Sequence, residues 1–247
     1  MRVYGQTDIG RSRLVNQDYI FYSKTPVGNL PNLFIVADGM GGHKAGDYAS
    51  SFTVNNFVEK VKTSSYENPI SIIKHTLQEV NFLLYQESKK TMTLEGMGTT
   101  FVAAVIIGNA LCVANVGDSR LYVIGDTIRQ ITRDHSLVEK MVLLGEIDKN
   151  EAKYHEKKNI ITRAVGVNET VIADFFEMEL KENESVLLCS DGLTNMIEDS
   201  DILYICNRDA QEGIKMEEQT KAKIFSLIEL ANRNGGRDNI SAILIEP

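Results

Sequence analysis

Residues 99–131 read TTFVAAVIIGNALCVANVGDSRLYVIGDTIRQI. Two apolar runs, 99–107 and 110–116, are joined by Gly108-Asn109 alone, and a second pair, 121–124 and 127–131, by Gly125-Asp126. Connections this short turn the chain back beside itself, so each pair is predicted to be an antiparallel hairpin. A crossover helix does not fit between them, which makes this part of the sheet antiparallel.

Working outward, residues 33–37 (LFIVA) form a continuous apolar run, the pattern of a strand buried on both faces. The glycine-dense segment Asp38-Gly39-Met40-Gly41-Gly42-His43-Lys44-Ala45-Gly46 that follows reads as a flexible loop. A helix is expected over residues 47–62. A second opens at Pro69, where a missing N–H costs nothing, and carries Ile73, Leu77, Val80 and Leu84 along one face. Before them, residues 2–22 are of mixed polarity with strand character at 19–22, and residues 26–31 form a turn-rich connection. After the hairpins, residues 134–165 alternate helical segments (136–144) with Lys- and Glu-rich sequence, which reads as a mobile excursion. Strands are expected at 170–179 and 185–190, then a helix over 216–233 with Ile224, Leu227, Ile228 and Ala231 inward, then a last strand at 239–245. No repeat, linker or low-complexity tract divides the chain. Strands at both ends argue for one domain over residues 1–247, with antiparallel sheets packed together and helices outside.

The 247 residues carry a net charge of −8, which disfavours nonspecific binding to nucleic acid or anionic membrane. No apolar run approaches the ~20 residues of a membrane span, and the N-terminus has no signal-peptide pattern. A cytoplasmic location is the default expectation, and a monomer is expected. Cys112, Cys189 and Cys206 show no CxxC or Cys/His zinc spacing and read as buried hydrophobes in a reducing compartment. The four histidines are scattered, which argues against zinc.

Four aspartates sit where apolar strands run out. Asp38 follows 33–37, Asp118 follows 111–117, Asp191 follows 186–190, and Asp238 precedes 239–245. Small residues accompany each: Asp38-Gly39, Gly117-Asp118, Asp191-Gly192 and Gly235-Gly236-Arg237-Asp238. Where such strand ends converge, four carboxylates meet in one pocket. Close like charges raise one another's pKa and cost free energy, and a divalent cation removes that cost. The pattern points to an all-oxygen metal centre.

Eight segments, in this order, carry a further reading: Asp8-Ile9-Gly10-Arg11-Ser12-Arg13-Leu14-Val15-Asn16-Gln17-Asp18, Val36-Ala37-Asp38-Gly39-Met40-Gly41-Gly42, Met97-Gly98-Thr99-Thr100, Asn115-Val116-Gly117-Asp118-Ser119-Arg120, Thr132-Arg133-Asp134-His135-Ser136, Ile161-Thr162-Arg163-Ala164-Val165-Gly166, Ser190-Asp191-Gly192-Leu193 and Arg237-Asp238-Asn239-Ile240. With them the chain resembles the metal-dependent Ser/Thr protein phosphatases of the type 2C family, in its bacterial branch. The resemblance implies an α+β fold, a four-layer αββα sandwich of two stacked antiparallel sheets flanked by helix pairs. It implies two Mn²⁺ or Mg²⁺ ions held by Asp38, which bridges them, by the backbone carbonyl of Gly39, and by Asp191 and Asp238. Asp118 with Asp191 matches a weaker third site, Asp18 a carboxylate behind the centre, and Arg13 the arginine that holds the substrate phosphate. Residues 134–165 match a substrate-facing flap.

The implied activity is hydrolysis of phospho-Ser and phospho-Thr by a water that the paired cations acidify, opposing a bacterial Ser/Thr kinase. The implied partners are phosphoprotein substrates. An alternative on the same fold is a noncatalytic phosphoprotein-binding module. A further one is a phosphatase acting on an anti-sigma-antagonist type partner. Two positions depart from the pattern. Gln17 stands where many relatives have Glu, and Met40 where the eukaryotic branch has a histidine that protonates the leaving group. Methionine cannot donate a proton, which leaves a metal-bound water or His43 as general acid. Arg120, Arg163 and His135 read as structural: ion-paired or hydrogen-bonded.

Overall fold

A computed structural model describes residues 1–41, 45–208 and 215–247. In chain order it contains β1 (Arg2–Asp8), β2 (Asp18–Ser23), β3 (Leu33–Met40), α1 (Ala45–Lys62), α2 (Pro69–Ser88), β4 (Gly98–Thr99), β5 (Phe101–Ile107), β6 (Ala110–Val116), β7 (Arg120–Ile124), β8 (Ile128–Gln130), α3 (Leu137–Leu143), α4 (Lys149–Tyr154), β9 (Asp174–Glu179), β10 (Ser185–Cys189), α5 (Asp191–Thr194), α6 (Asp199–Cys206), α7 (Met216–Arg233) and β11 (Ile240–Glu246). Both hairpins form: β5 pairs with β6 and β7 with β8, antiparallel. Pro69 opens α2, capped by Asn68 Oδ1, which accepts from the Ser71 amide at 3.1 Å.

Two sheets result, with strand orders β1-β11-β10-β7-β8 and β2-β3-β5-β6-β9. Alternation along each strand sorts the side chains into three cores. Leu33, Ile35 and Ala37 of β3 face α1 and α2, with Phe57, Val61, Ile73 and Leu77 among their neighbours. Phe34 and Val36 face the other way, meeting Val123, Leu188 and Ile243 of the second sheet. The outer face of that sheet packs Tyr122, Leu187 and Leu244 against Ile202, Ile224 and Leu227 of α6 and α7. Helix, sheet, sheet, helix is the four-layer order.

The structure corrects several expectations. β3 does not run out at Ala37. It continues through Asp38, which pairs with Asp18 of β2, and through Gly39 and Met40, for which β4 supplies partners: Gly39 pairs with Thr99 and Met40 with Gly98. Asp38 therefore sits within a strand, held by Thr100, whose hydroxyl accepts from the Asp38 amide at 2.8 Å and whose amide donates to the Asp38 carbonyl at 2.8 Å. Ala45 and Gly46 belong to α1 rather than to a loop. β1 is a strand of its own; it lies at a sheet edge and is only half buried, so no apolar run announces it. The charged stretch after β10 contains α5 and α6, and residues 170–173 precede β9 rather than belonging to it.

Candidate active site

In the β2–β3 ladder Asp18 stands directly opposite Asp38. Opposed residues of an antiparallel pair project from the same face, so the register alone juxtaposes two carboxylates. Asp191 opens α5 immediately after β10, and Asp238 stands just ahead of β11, the neighbour of β10. Their backbones run in close contact: a Cβ on Gly192 would come 2.0 Å from the Asn239 carbonyl oxygen. Asp118 lies in the turn between β6 and β7. There Gly117 adopts φ 105° and leaves no room for a side chain beside Thr100.

Protein donors engage one oxygen of several of these acids. Ser190 Oγ donates to Asp18 Oδ2 at 2.7 Å, and Asn195 Nδ2 donates to Asp191 Oδ2 at 2.9 Å. Asp238 accepts from the Asn239 amide at 2.8 Å and from Arg13 at 2.7 Å. Asp18 Oδ1, Asp118 Oδ1 and Asp191 Oδ1 are buried with no hydrogen-bond partner. Burial first, and then the charges of Asp191 and Asp238, push the Asp18 carboxyl up to about 7 against the opposing pull of Ser241 and Ser190. Burial and then Asp238 push Asp191 up to about 6. Asp38 and Asp118 lie well above the usual carboxylate range, Asp38 through burial and then Asp18 and Asp191, Asp118 through burial and then Asp191 and Asp134.

Buried acceptor atoms without donors are rare because they forfeit hydration without return. A set of carboxylate oxygens in that condition is the donor chemistry of a hard divalent cation, so the residues present fit one. Among the described residues no three His, Cys, Asp or Glu side chains are yet closed into a ligand cluster. Asp191 is within side-chain hydrogen-bonding reach of Asp38, and Asp238 pairs with Arg13.

Arg13 is at the mouth, its side chain 48% exposed, on a loop leading from β1 to β2. Gln17 contributes through its backbone, its carbonyl accepting from the Gly39 amide at 3.0 Å and from Ser50 Oγ at 2.6 Å. Its side chain lies against Gly46, where a Cβ would be 2.5 Å from Nε2. Gly39 and Gly46 also cross backbone to backbone, which explains both glycines. Gly42 and His43 lie outside the described residues. Arg120 forms a bidentate pair with Asp134, at 2.7 Å for the nearer oxygen, and Arg163 bonds Asp174 at 2.6 Å. His135 is buried, with Nδ1 accepting from the Gly117 amide at 2.9 Å, which leaves Nε2–H to face Asp174 Oδ2 at 3.1 Å. A cavity of about 630 Å³ runs from Asp118 and Asp191 to Lys149, Lys153 and Lys158 of the segment between β8 and β9.

Sequence reading missed the residues that hold the acids: Ser190, Asn195, Thr100 and Asn239. The adjacency Ser190-Asp191 and Asp238-Asn239 is the one local signal they leave.

Residues 6–224 match the family described as protein phosphatase 2C. The chain belongs to that family. Asp238 falls beyond the matched span, yet relatives align over nearly the whole chain. The Ser/Thr phosphatase stp of Listeria monocytogenes is 41% identical, covering 98% of this chain and 94% of its own length. Protein phosphatase PhpP of Streptococcus pneumoniae is 35% identical over 97% of this chain and 94% of its own length. Among solved structures, the Ser/Thr phosphatase Stp1 of Staphylococcus aureus superposes with a TM-score of 0.88 at 33% identity, covering 99% of this chain and 94% of that one. The Mycobacterium tuberculosis phosphatase PstP/Ppp gives 0.85 at 30% identity, covering 98% and 97%. The two antiparallel sheets with their outer helices are thus the fold of this phosphatase family.

Proposed function

We propose that this protein Ser/Thr phosphatase works with two divalent cations, Mn²⁺ or Mg²⁺, at the Asp38 centre, on phosphoproteins marked by a cognate Ser/Thr kinase. Membership of the phosphatase 2C family supports the reaction. The observation that carries the metal assignment is the set of buried oxygens, Asp18 Oδ1, Asp118 Oδ1 and Asp191 Oδ1, left without a hydrogen-bond donor.

In this reading Asp38, the Gly39 carbonyl, Asp191 and Asp238 hold the pair of ions, and Asp118 with Asp191 holds a weaker third. Two cations held there would supply an acidified water as nucleophile and would neutralise phosphoryl charge. The remaining work belongs to the chain. Asn195 and Ser190 fix the orientation of Asp191 and Asp18. Arg13, now paired with Asp238, has a planar fork that can take two phosphate oxygens, which a lysine cannot match. Met40 carries no exchangeable proton and cannot protonate the leaving oxygen; His43, a candidate donor from the sequence, lies outside the described residues. A noncatalytic binding module gains no support, since the relatives the chain matches are named phosphatases.

Purified protein is expected to hydrolyse p-nitrophenyl phosphate and phosphothreonine peptides with added Mn²⁺. Asp38→Ala and Asp191→Ala should abolish turnover. Full activity in excess EDTA would overturn the metal assignment.

A further inference from the structure

We infer that Asn239 is a positioning residue that holds the Arg13 loop in place for phosphate binding; the inference rests on the phosphate-binding role proposed for Arg13. Residues 11–15 are all exposed, Leu14 to 94%, so apolar burial does nothing to set the loop's shape. Hydrogen bonds must do so. Asn239 is 3% exposed and uses its whole side-chain amide on this loop. Nδ2 donates to the Ile9 carbonyl at 3.0 Å and to the Val15 carbonyl at 3.1 Å, and Oδ1 accepts from the Gln17 amide at 2.8 Å. One amide thereby staples the departing limb at Ile9 to the returning limb at Val15 and Gln17, with Arg13 between them.

The neighbouring backbone continues the clamp. The Gly236 carbonyl accepts from the Arg11 and Ser12 amides at 2.7 and 3.2 Å. Gly10, at φ 80°, would place a Cβ 2.2 Å from the Asp238 carbonyl oxygen, so the loop begins in direct backbone contact with the 236–239 segment. Two consecutive residues act on Arg13 in different ways. The Asp238 side chain meets its guanidinium, and the Asn239 side chain fixes the loop that carries it. A planar, bidentate group depends on such placement, since its two bonds must form together.

The test compares wild type, Asn239→Ala, Arg13→Ala and the double variant at saturating Mn²⁺, with a phosphothreonine peptide as substrate and inorganic phosphate as competitive inhibitor. Asn239→Ala is expected to raise KM and the phosphate inhibition constant together by about tenfold, with kcat changed by less than about threefold. In the Arg13→Ala background the same substitution should change KM by less than about twofold, because coupled residues do not add. Hydrogen exchange at the Gln17 amide should quicken in Asn239→Ala and not in Arg13→Ala. Asn239→Ser, which keeps one acceptor in less space, applies the same test should the alanine variant fold poorly. Additive losses in the double variant, or a higher Mn²⁺ requirement in Asn239→Ala, would overturn the inference and assign the effect to Asp238 or to the fold. An unchanged KM in Arg13→Ala alone would instead refute the reading of Arg13, with Gln17 exchange still reporting on the staple.

Discussion

Gly39→Ala tests whether the Asp38 strand and the start of α1 are as tightly opposed as they stand. An added Cβ would lie 1.9 Å from the Gly46 carbonyl oxygen, 2.5 Å from the Gly46 carbonyl carbon and 2.7 Å from the Gln17 carbonyl oxygen. All three are backbone atoms, so no side-chain rotation relieves the contact. Ordinary contact begins near 3.4 Å, and β3 and α1 must therefore part by about 1.5 Å, in an interior packed too densely to absorb it. Overpacking of this kind costs about 3 kcal/mol, which in a chain of this size lowers Tm by about 6–12 °C. The displaced atoms adjoin Asp38, and a misplacement of about 1 Å at a reacting centre costs on the order of 10²-fold in rate. Urea unfolding and Mn²⁺-dependent turnover of a phosphothreonine peptide measure the two effects. Gly125→Ala is the comparison, since its nearest neighbour is the flexible Glu184 Cγ at 3.2 Å, and it should cost less than about 1 kcal/mol. Gly39→Ala with activity within about threefold of wild type and unchanged stability would refute the packing argument.

Arg13→Ala should lower kcat/KM for phosphopeptide by about 10–100-fold, mainly through KM, since a charge-assisted bond contributes about 1.5–3 kcal/mol; steady-state kinetics with an unchanged KM would contradict it. Mn²⁺ at about 100 times its Kd should stabilise the fold by about 2.7 kcal/mol, seen as a rise in Tm that Asp38→Asn and Asp191→Asn shrink; a metal-insensitive melt would count against the centre. Glu246 gives a pH test remote from the site. Burial favours its neutral form, but Lys223 at 2.8 Å and the Thr220 hydroxyl outweigh that and hold its carboxyl below the usual 4.5. Its folded-state pKa is depressed, so its contribution is complete above the unfolded value and fades as pH falls through the folded one. Unfolding free energies of wild type and Glu246→Gln should therefore differ at neutral pH and converge in acid; an equal gap at both would refute the pairing.

Local pattern carried much of the fold. The Gly108-Asn109 and Gly125-Asp126 hairpins, the α2 start at Pro69 and the α7 stripe were legible because turn chemistry and helical periodicity act over a few residues. The four strand-end aspartates and their glycines, with Arg13 in its motif, supplied the candidate site. β1 was not legible, since an edge strand with half-buried side chains shows no apolar run, and neither was the continuation of β3 through Gly39 and Met40, which depends on a partner strand, β4, about 60 residues later in the chain. Nor could composition show that Ser190 and Asn239 are the side chains that hold Asp18 and the Arg13 loop, because their partners are distant in sequence. Asn195 is only four residues from Asp191, but its bond depends on the short helix α5, which no apolar periodicity announces.

By itself the sequence determined which residues could do the chemistry and that they would lie at or beside buried strands. Tertiary structure decided which of them stand side by side. Asp18 faces Asp38 through a sheet register in which a slip of one residue would send it to the opposite face. Asp191 and Asp238 come together because β10 and β11 are neighbours, a pairing set by long-range burial and not by any local signal.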